Sequence, residues 1–468
     1  METFLLKRLL EEVTTDRNQY GGIKGSGTNH FLINTYHHIM TALEDNKNAV
    51  SLVSVDFSKA FNRMDHGLCL KSFAYKGASQ EAMTMIAAFL YNRTMRVKVG
   101  TAFSTPRSVN GGSPQGTKLG NFLFTMTIDC IEQANHPLFG SVGLPTYEDS
   151  AEDEQSEVGF TTSTPCKAGT WDGVLRYHDT SGRGDSTYGQ DELINPDRAA
   201  DDDRDFWCEK FVDDVNGGQS HPILEGVAHI TEGKECRRIH ADKCQDLYET
   251  IERNANNVKM SVNPKKTKLL CISSALNYNV SSYINISGGV LESEEKLKIL
   301  GYTFGKKPNA EEHIKQIRTD YATKAWAIRN LKRAKIRNQS LVIIYCSLLR
   351  STIEYAAPVY AHFLTSEQSN ALERLQSQTL KTIFGFDKSY NECLSFSGLD
   401  TLESRRTKLV QKFAIKTSAN PLWAHWFPQH EEYSYDLRKK LRYREDFAAK
   451  DRLRLSPIFT MRRLLNEL

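Results

Sequence analysis

Asp56, Asp213 and Asp214 are carboxylates in places where a chain has reason to avoid them. Asp213 and Asp214 are adjacent in "EKFVDDVNGG", behind an apolar Phe211-Val212, and Asp56 ends the run "AVSLVSVDF". Carboxylates held close raise one another's pKa and destabilise a fold unless something positive lies between them. A solvated turn is the plain alternative, because Asp and Asn216-Gly217 are ordinary turn chemistry. The chemical reading joins an acid at a strand end to a pair at a neighbouring hairpin tip. Hard oxygen ligands arranged in that way suit Mg2+, which takes carboxylates together with substrate phosphates. Two such ions activate an attacking hydroxyl and stabilise a leaving pyrophosphate.

One other cluster has metal-ligand residue types. In "ECRRIHADKC", Cys236, His240 and Cys244 fall four apart on one helical face. Structural zinc needs four ligands, normally from more than one element. No fourth ligand is evident, so packing is the expected role.

The elements that must position the acids can be read from pattern. "AVSLVSVDF" is a short run of β-formers, a buried strand that leads into a helix start at "SKAFNRMDH". "FWCEKFVDDV" reads as a hairpin, residues 235–259 as a helix, "MSVNPKKTKLLCIS" as a turn and strand, and "LKILGYTF" as a strand. Residues 1–48 are helical, broken by "QYGGIKGSGT", and "GGSPQGTKLGNFLF" is a Gly/Pro turn feeding an apolar helix. Residues 135–205 are acidic, poor in aliphatics and without a usable period, a composition expected to stay disordered. Beyond residue 308 the pattern is helical. Ile314, Ile317, Tyr321, Ala325, Ile328 and Leu331 form one face, opposite Lys315, Arg318, Lys324, Arg329, Lys332 and Arg333. Thr365 and Gln368 carry a capping-box pattern, with Gly385 past the helix end.

Length and composition set wide bounds. The 468 residues allow two to four domains, and a 25% charged, 40% apolar composition is ordinary for a globular protein. The nine cysteines are scattered, with no CxxC pair and no signal peptide or membrane-length apolar run. The expectation is an intracellular, unsecreted protein with free thiols, in nucleus or cytoplasm, without a membrane partner.

The order and spacing of "VDFSKAFNRMDH", "GGSPQGTKLGNFLF", "KFVDDV", "NPKKTKLL" and "LKILGYTF" resemble the successive palm motifs of reverse transcriptases, those of non-LTR (LINE-like) retrotransposons above all. The similarity runs on into "SLVIIYCSLLRSTIEYAAPVYAHF" and "LERLQSQTLKTIFG" and spans about four fifths of the chain. It implies an α+β fold of right-hand polymerase type, whose palm is a ferredoxin-like antiparallel sheet with helices. The implied layout is a truncated fingers remnant (1–48), palm (49–134 and 206–306) interrupted by the acidic insertion (135–205), an all-helical thumb (307–386) and a basic helical tail (387–468). The implied activity is RNA-directed DNA synthesis with two Mg2+ ions, Mn2+ being a possible substitute, on an RNA template, a DNA primer and dNTPs. Protein partners are unknown. The alternative is a degenerate relic that only binds RNA or primer–template duplex.

Residue roles are carried by the same resemblance. Asp56 and Asp213 would be metal ligands, with Asp214 a third carboxylate and the Phe57 carbonyl a further oxygen. Phe61 falls where the family places an aromatic gate against a ribose 2′-hydroxyl, so Phe61→Ala should admit ribonucleotides; helix-face packing is its plainer role. Gln115 and Gly116 would line the nucleotide–template pocket. Lys266 would steady or protonate the leaving pyrophosphate, unless it is simply a solvated turn lysine. "LKILGYTF" would be the primer-grip hairpin, with Gly301 giving backbone access to the primer strand, and the basic faces after 312 would track a duplex backbone. The sequence departs from the family in its fingers: Ile23 and Ser26 stand where arginines are common, leaving Lys24 as the basic residue of that loop. Without an endonuclease-like domain or a zinc knuckle, it is not expected to nick DNA.

Overall fold

Alternation along "AVSLVSV" decides how the layers stack. The computed structural model describes residues 2–130 except 17 and 45–47, 206–222 except 213, 230–273, 283–430, and 441–467 except 447 and 449. The acidic stretch at 135–205 and Asp213 lie outside the described residues. Strand β1 (Asn48–Val55) sends Val50 and Leu52 into one apolar core and Val53 and Val55 into another. Strand β4 (Lys268–Ser273) divides in the same way, Leu270 and Ile272 against Leu269 and Cys271. A sheet buried on both faces explains why these strands read as continuous apolar runs.

In sequence β2 (Phe206–Phe211) and β3 (Asp214–Pro222) come between these two strands, and the sheet order is β2-β3-β1-β4, antiparallel throughout. With helices between β1 and β2 and between β3 and β4, this is the strand order of a ferredoxin-like unit. On one face lie helices α1 (Glu2–Glu12), α3 (His66–Tyr75), α4 (Gln80–Leu90), α5 (Lys118–Asp129) and α6 (Ile230–Asn257). Helix α2 (Thr28–Ala42) contributes to the core on the other face.

Asn216-Gly217 is not a turn. Both residues sit inside β3, opposite Ser54 and Val53 on β1 and Glu209 and Cys208 on β2. A Cβ on Gly217 would come within 3.0 Å of Ile251 and 3.1 Å of Leu247, so the glycine lets α6 lie close on the sheet. "LKILGYTF", one strand by pattern but a hairpin by resemblance, is a hairpin: Lys296–Ile299 and Tyr302–Gly305 joined at Leu300-Gly301. Positive φ at both turn residues (45° and 81°) is the geometry that matches strand twist in a two-residue hairpin.

Helix α7 (Glu311–Arg333) buries Ile314, Ile317, Tyr321 and Ile328 as its periodicity predicts. Its basic face is smaller than expected. Lys324 donates to Thr352 Oγ1 at 2.6 Å and Lys332 to the Ile383 carbonyl at 2.6 Å, both tying helices together. Helix α8 (Ser366–Phe384) has the capping box of Thr365 and Gln368, with Gly385 as its C-cap. The tail, with α9 (Leu402–Ser418) and α10 (Pro457–Glu467), folds back on α2. Trp423 stacks on Tyr20 and His30, at 5.7 and 4.4 Å between centroids, so the helices from α7 onward and one sheet face share a single core.

Candidate active site

The last register pair between β1 and β3 is Val55 with Val215, so the next residues on the two strands are Asp56 and Asp214. Strand alternation puts both on the face opposite α6, since Val53, Val55 and Val215 share the core with that helix. Asn216, two residues beyond Asp214 and on the same face, is 1% exposed, and neither atom of its amide has a hydrogen-bond partner among the described residues. Two acids beside a buried amide that lacks a hydrogen-bond partner among the described residues make this a polar strand end that suits a polar ligand.

The turn before β4 supplies a cation. Asn263-Pro264-Lys265-Lys266 is a β-turn with proline at its second position, closed by Lys266 N–H on the Asn263 carbonyl at 3.1 Å. It is pinned to the end of β1 by Asn263 N–H on the Asp56 carbonyl (2.8 Å) and by pairing of Phe57 with Val262. That places the Lys266 ammonium 2.7 Å from Asp56 Oδ2, an oxygen with no conventional hydrogen bond and this ion pair as its contact. The lysine side chain remains 65% exposed and able to move. Phe57 itself is buried in the core.

The hairpin carrying the acids is held under strain. Val212 has φ 57°, a left-handed conformation that is an outlier for a β-branched residue and persists only where the surroundings impose it. What imposes it is the segment before α2. Residues 18–20 join the edge of β2 through Lys210 N–H on the Asn18 carbonyl (2.8 Å) and Tyr20 N–H on the Lys210 carbonyl (2.9 Å). Gln19 Oε1 then accepts from Val212 N–H (3.2 Å) and Gly21 N–H (3.0 Å). A Cβ on Gly21 would meet Val212 at 2.5 Å, so only glycine allows that approach.

Two residues that sequence reasoning passed over anchor β2 just before the tip. Lys210, fully buried, donates to the Asp129 carbonyl (2.9 Å) and lies 3.6 Å from the buried Asp129 carboxylate, which also takes Lys76 at 2.6 Å. Glu209 is buried against α2. Its Oε1 accepts from Asn34 Nδ2 (2.7 Å) and Tyr20 OH (3.4 Å), and its Oε2 meets Thr35 Oγ1. Burial pushes its carboxyl up to about 7, against the hydrogen bonds from Thr35, Asn34 and Tyr20 that favour the charged form. Their only signal in sequence is charge inside a β-pattern.

The remaining candidates lie on flanking elements. The Phe61 ring stacks on Phe124 of α5 at 4.1 Å, and its carbonyl accepts from Ser113 N–H at 2.8 Å, so it is tied to the "SPQG" loop. Gln115 and Gly116 are exposed at that turn, Gly116 with φ +84° and open space where a Cβ would stand. Lys24 is exposed on the glycine-rich loop, whose Gly25 carbonyl accepts from Trp423 Nε1 at 3.0 Å. Gly301 is exposed, with the Tyr355 ring 3.1 Å from where its Cβ would be. Cys244 packs on Ser51, its thiol donating at 2.8 Å, and the side chains of Cys236 and His240 lie outside the described residues. Among the described residues no group of three or more His, Cys, Asp or Glu forms a metal cluster, Asp213 being outside that set. No described helix is long and apolar enough to cross a membrane.

Over 395 residues, 81% of its length, the chain is 20% identical to the probable RNA-directed DNA polymerase from transposon BS of Drosophila melanogaster. Over 396 residues, 82% of its length, it is 22% identical to the RNA-directed DNA polymerase from mobile element jockey of the same organism. A 161-residue match, 34% of the chain and 17% of the relative, is 29% identical to the probable RNA-directed DNA polymerase from transposon X-element. The chain spans about a third (34%) of the BS and jockey proteins. No family model matches it. The structure of telomerase from Candida tropicalis, in complex with a TWJ fragment of telomeric RNA, superposes over 89% of this chain and 53% of that one. Its TM-score of 0.35 at 10% identity is too low to bear on the reading.

Proposed function

With the RNA-directed DNA polymerases of non-LTR retrotransposons as its curated homologues, we propose that this chain extends a DNA primer with dNTPs on an RNA template. The observation that carries the reading is the meeting of Asp56, Asp214 and Lys266 at adjoining strand ends, with Asp213 next in the hairpin. In this reading the sheet is a polymerase palm, the helices from α7 onward a thumb, and the glycine-rich loop with Lys24 a reduced fingers element.

Asp56, Asp213, Asp214 and the Phe57 carbonyl would hold Mg2+, which when bound supplies charge neutralisation at the attacking and leaving oxygens. The residues fit that group: the acids are at strand ends, and Asp56 already draws a cation to an otherwise unbonded oxygen. Lys266 is the proton and charge carrier of the site. It neutralises Asp56 in the resting chain and, being exposed, can swing to the leaving pyrophosphate and give it a proton. Phe61, braced on Phe124, stands as a fixed wall beside the sugar, and Gln115 and Gly116 meet the base pair with bare backbone. The strained Val212 turn fixes the strand end that carries Asp214, so that little reorganisation is needed there at reaction.

Primer extension on an RNA template, with Asp56→Asn as the control, tests the reading. Extension by the wild-type chain that disappears in the variant supports it. No extension by folded protein that binds primer–template refutes catalysis and leaves a binding relic.

A further inference from the structure

Away from the strand ends, helices α8, α9 and α10 and residues 361–364 line an open cleft of about 340 Å3. Arg406 of α9 is 4% exposed and lines it. One guanidinium nitrogen, Nη2, donates to Ser369 Oγ at 2.6 Å, while Nη1 is buried without a hydrogen-bond partner among the described residues. Arginine keeps its charge in proteins, and a buried, uncompensated cation is costly, so this group asks for an anion.

The other walls answer in kind. Ser366 and Thr365 bring the N-terminal end of the 19-residue helix α8 to the cleft. The capping box uses the Gln368 N–H, which leaves the first-turn N–H groups of Ser366 and Glu367 without an intrahelical partner. A helix N-terminus carries partial positive charge and free donors, the combination that binds phosphate. Thr460 adds a hydroxyl, and Arg463 reaches it at 3.2 Å from outside. His362 Nε2 is a second buried atom without a partner on the same wall. Glu403 is the one acid of the lining, and it makes no ion pair with Arg406 among the described residues.

We propose that this cleft is a phosphate site, with Arg406, Ser369 and the first turn of α8 as its donors. Its ligand is a phosphate group, either free phosphate or a phosphodiester of a nucleic-acid strand. The proposal uses none of the strand-end residues and stands independently of the polymerase reading.

The test follows inorganic phosphate by 31P line width on the full chain, without divalent cations and at constant ionic strength. The wild-type chain should broaden the signal saturably. Arg406→Met should weaken binding at least tenfold. Because that change opens a hole, Ser369→Asp is the second variant: its carboxylate supplies the missing anion from within. It should abolish the broadening and raise the unfolding temperature in chloride buffer. Displacement of phosphate by a short single-stranded RNA identifies the phosphodiester as ligand, and failure to displace identifies free phosphate. Equal broadening by all three folded proteins, or none by the wild type, overturns the proposal.

Discussion

Replacing Glu209 by Gln should change how stability depends on pH. In the fold the carboxyl titrates at about 7, raised from 4.5 by burial. Thr35 serves both forms with its single proton: given to Glu209 Oε2 it supports the carboxylate, and turned to the Phe31 carbonyl at 3.0 Å it leaves the oxygen able to accept from the carboxylic acid. Between pH 4.5 and 7 the native state therefore binds a proton that the unfolded chain has released. The contribution is complete below the unfolded value and is lost as pH rises through the folded one. The step from 4.5 to about 7 corresponds to about 3 kcal/mol. The Glu209→Gln variant has no such step, so the assay is a double difference: urea midpoints of both proteins at pH 5 and pH 8. Buried His30 and His313, each held down to about 4 by burial, contribute the opposite slope, present above their unfolded pKa and lost as pH falls through about 4. They contribute to both proteins and cancel. With a denaturant slope of about 3 kcal/mol/M, the wild type should lose about 1 M relative to the variant. Parallel pH profiles would refute the assignment of a neutral Glu209.

Other substitutions separate support from chemistry. Lys266→Met should leave stability within about 1 kcal/mol, because an exposed ion pair contributes little, while primer extension should fall about 10²-fold or more if the lysine is a general acid; equal loss in binding of primer–template would argue against that role. Gly21→Ala drives a methyl into Val212, so extension should fall far more than thermal stability does, and a variant as active as wild type would show that the tip geometry is immaterial. Asp129→Ala strips the buried partner from Lys210 and Lys76 and should cost about 3–5 kcal/mol, read as a drop in urea midpoint.

Elements whose physics is local were legible in the sequence. The β1 run, the "FVDD" hairpin, the buried stripe of α7 and the Thr365 capping box need only period and cap chemistry, and all are present. Asn216-Gly217 misled because its meaning is tertiary: the glycine makes room for Ile251 and Leu247, a demand no window of sequence contains. Part of the basic face of α7 was unreadable for the same reason, as Lys324 and Lys332 are used by helices that arrive later in the chain. For the site, the acid types and their order were readable, but the ion pair of Lys266 with Asp56 joins residues 210 positions apart through one turn. Gln19 and Gly21, which hold Val212 in place, gave no signal beyond a glycine-rich loop.

The central claim is that Asp56 and the Asp213–Asp214 tip bind divalent metal together. Electron paramagnetic resonance of Mn2+ tests it most directly, on protein with an RNA template, a chain-terminated DNA primer and the next dNTP. The wild type should take up Mn2+ tightly, and Asp56→Asn and Asp214→Asn should each lose that binding while still holding primer–template. Mn2+ uptake unchanged in both variants would contradict the account.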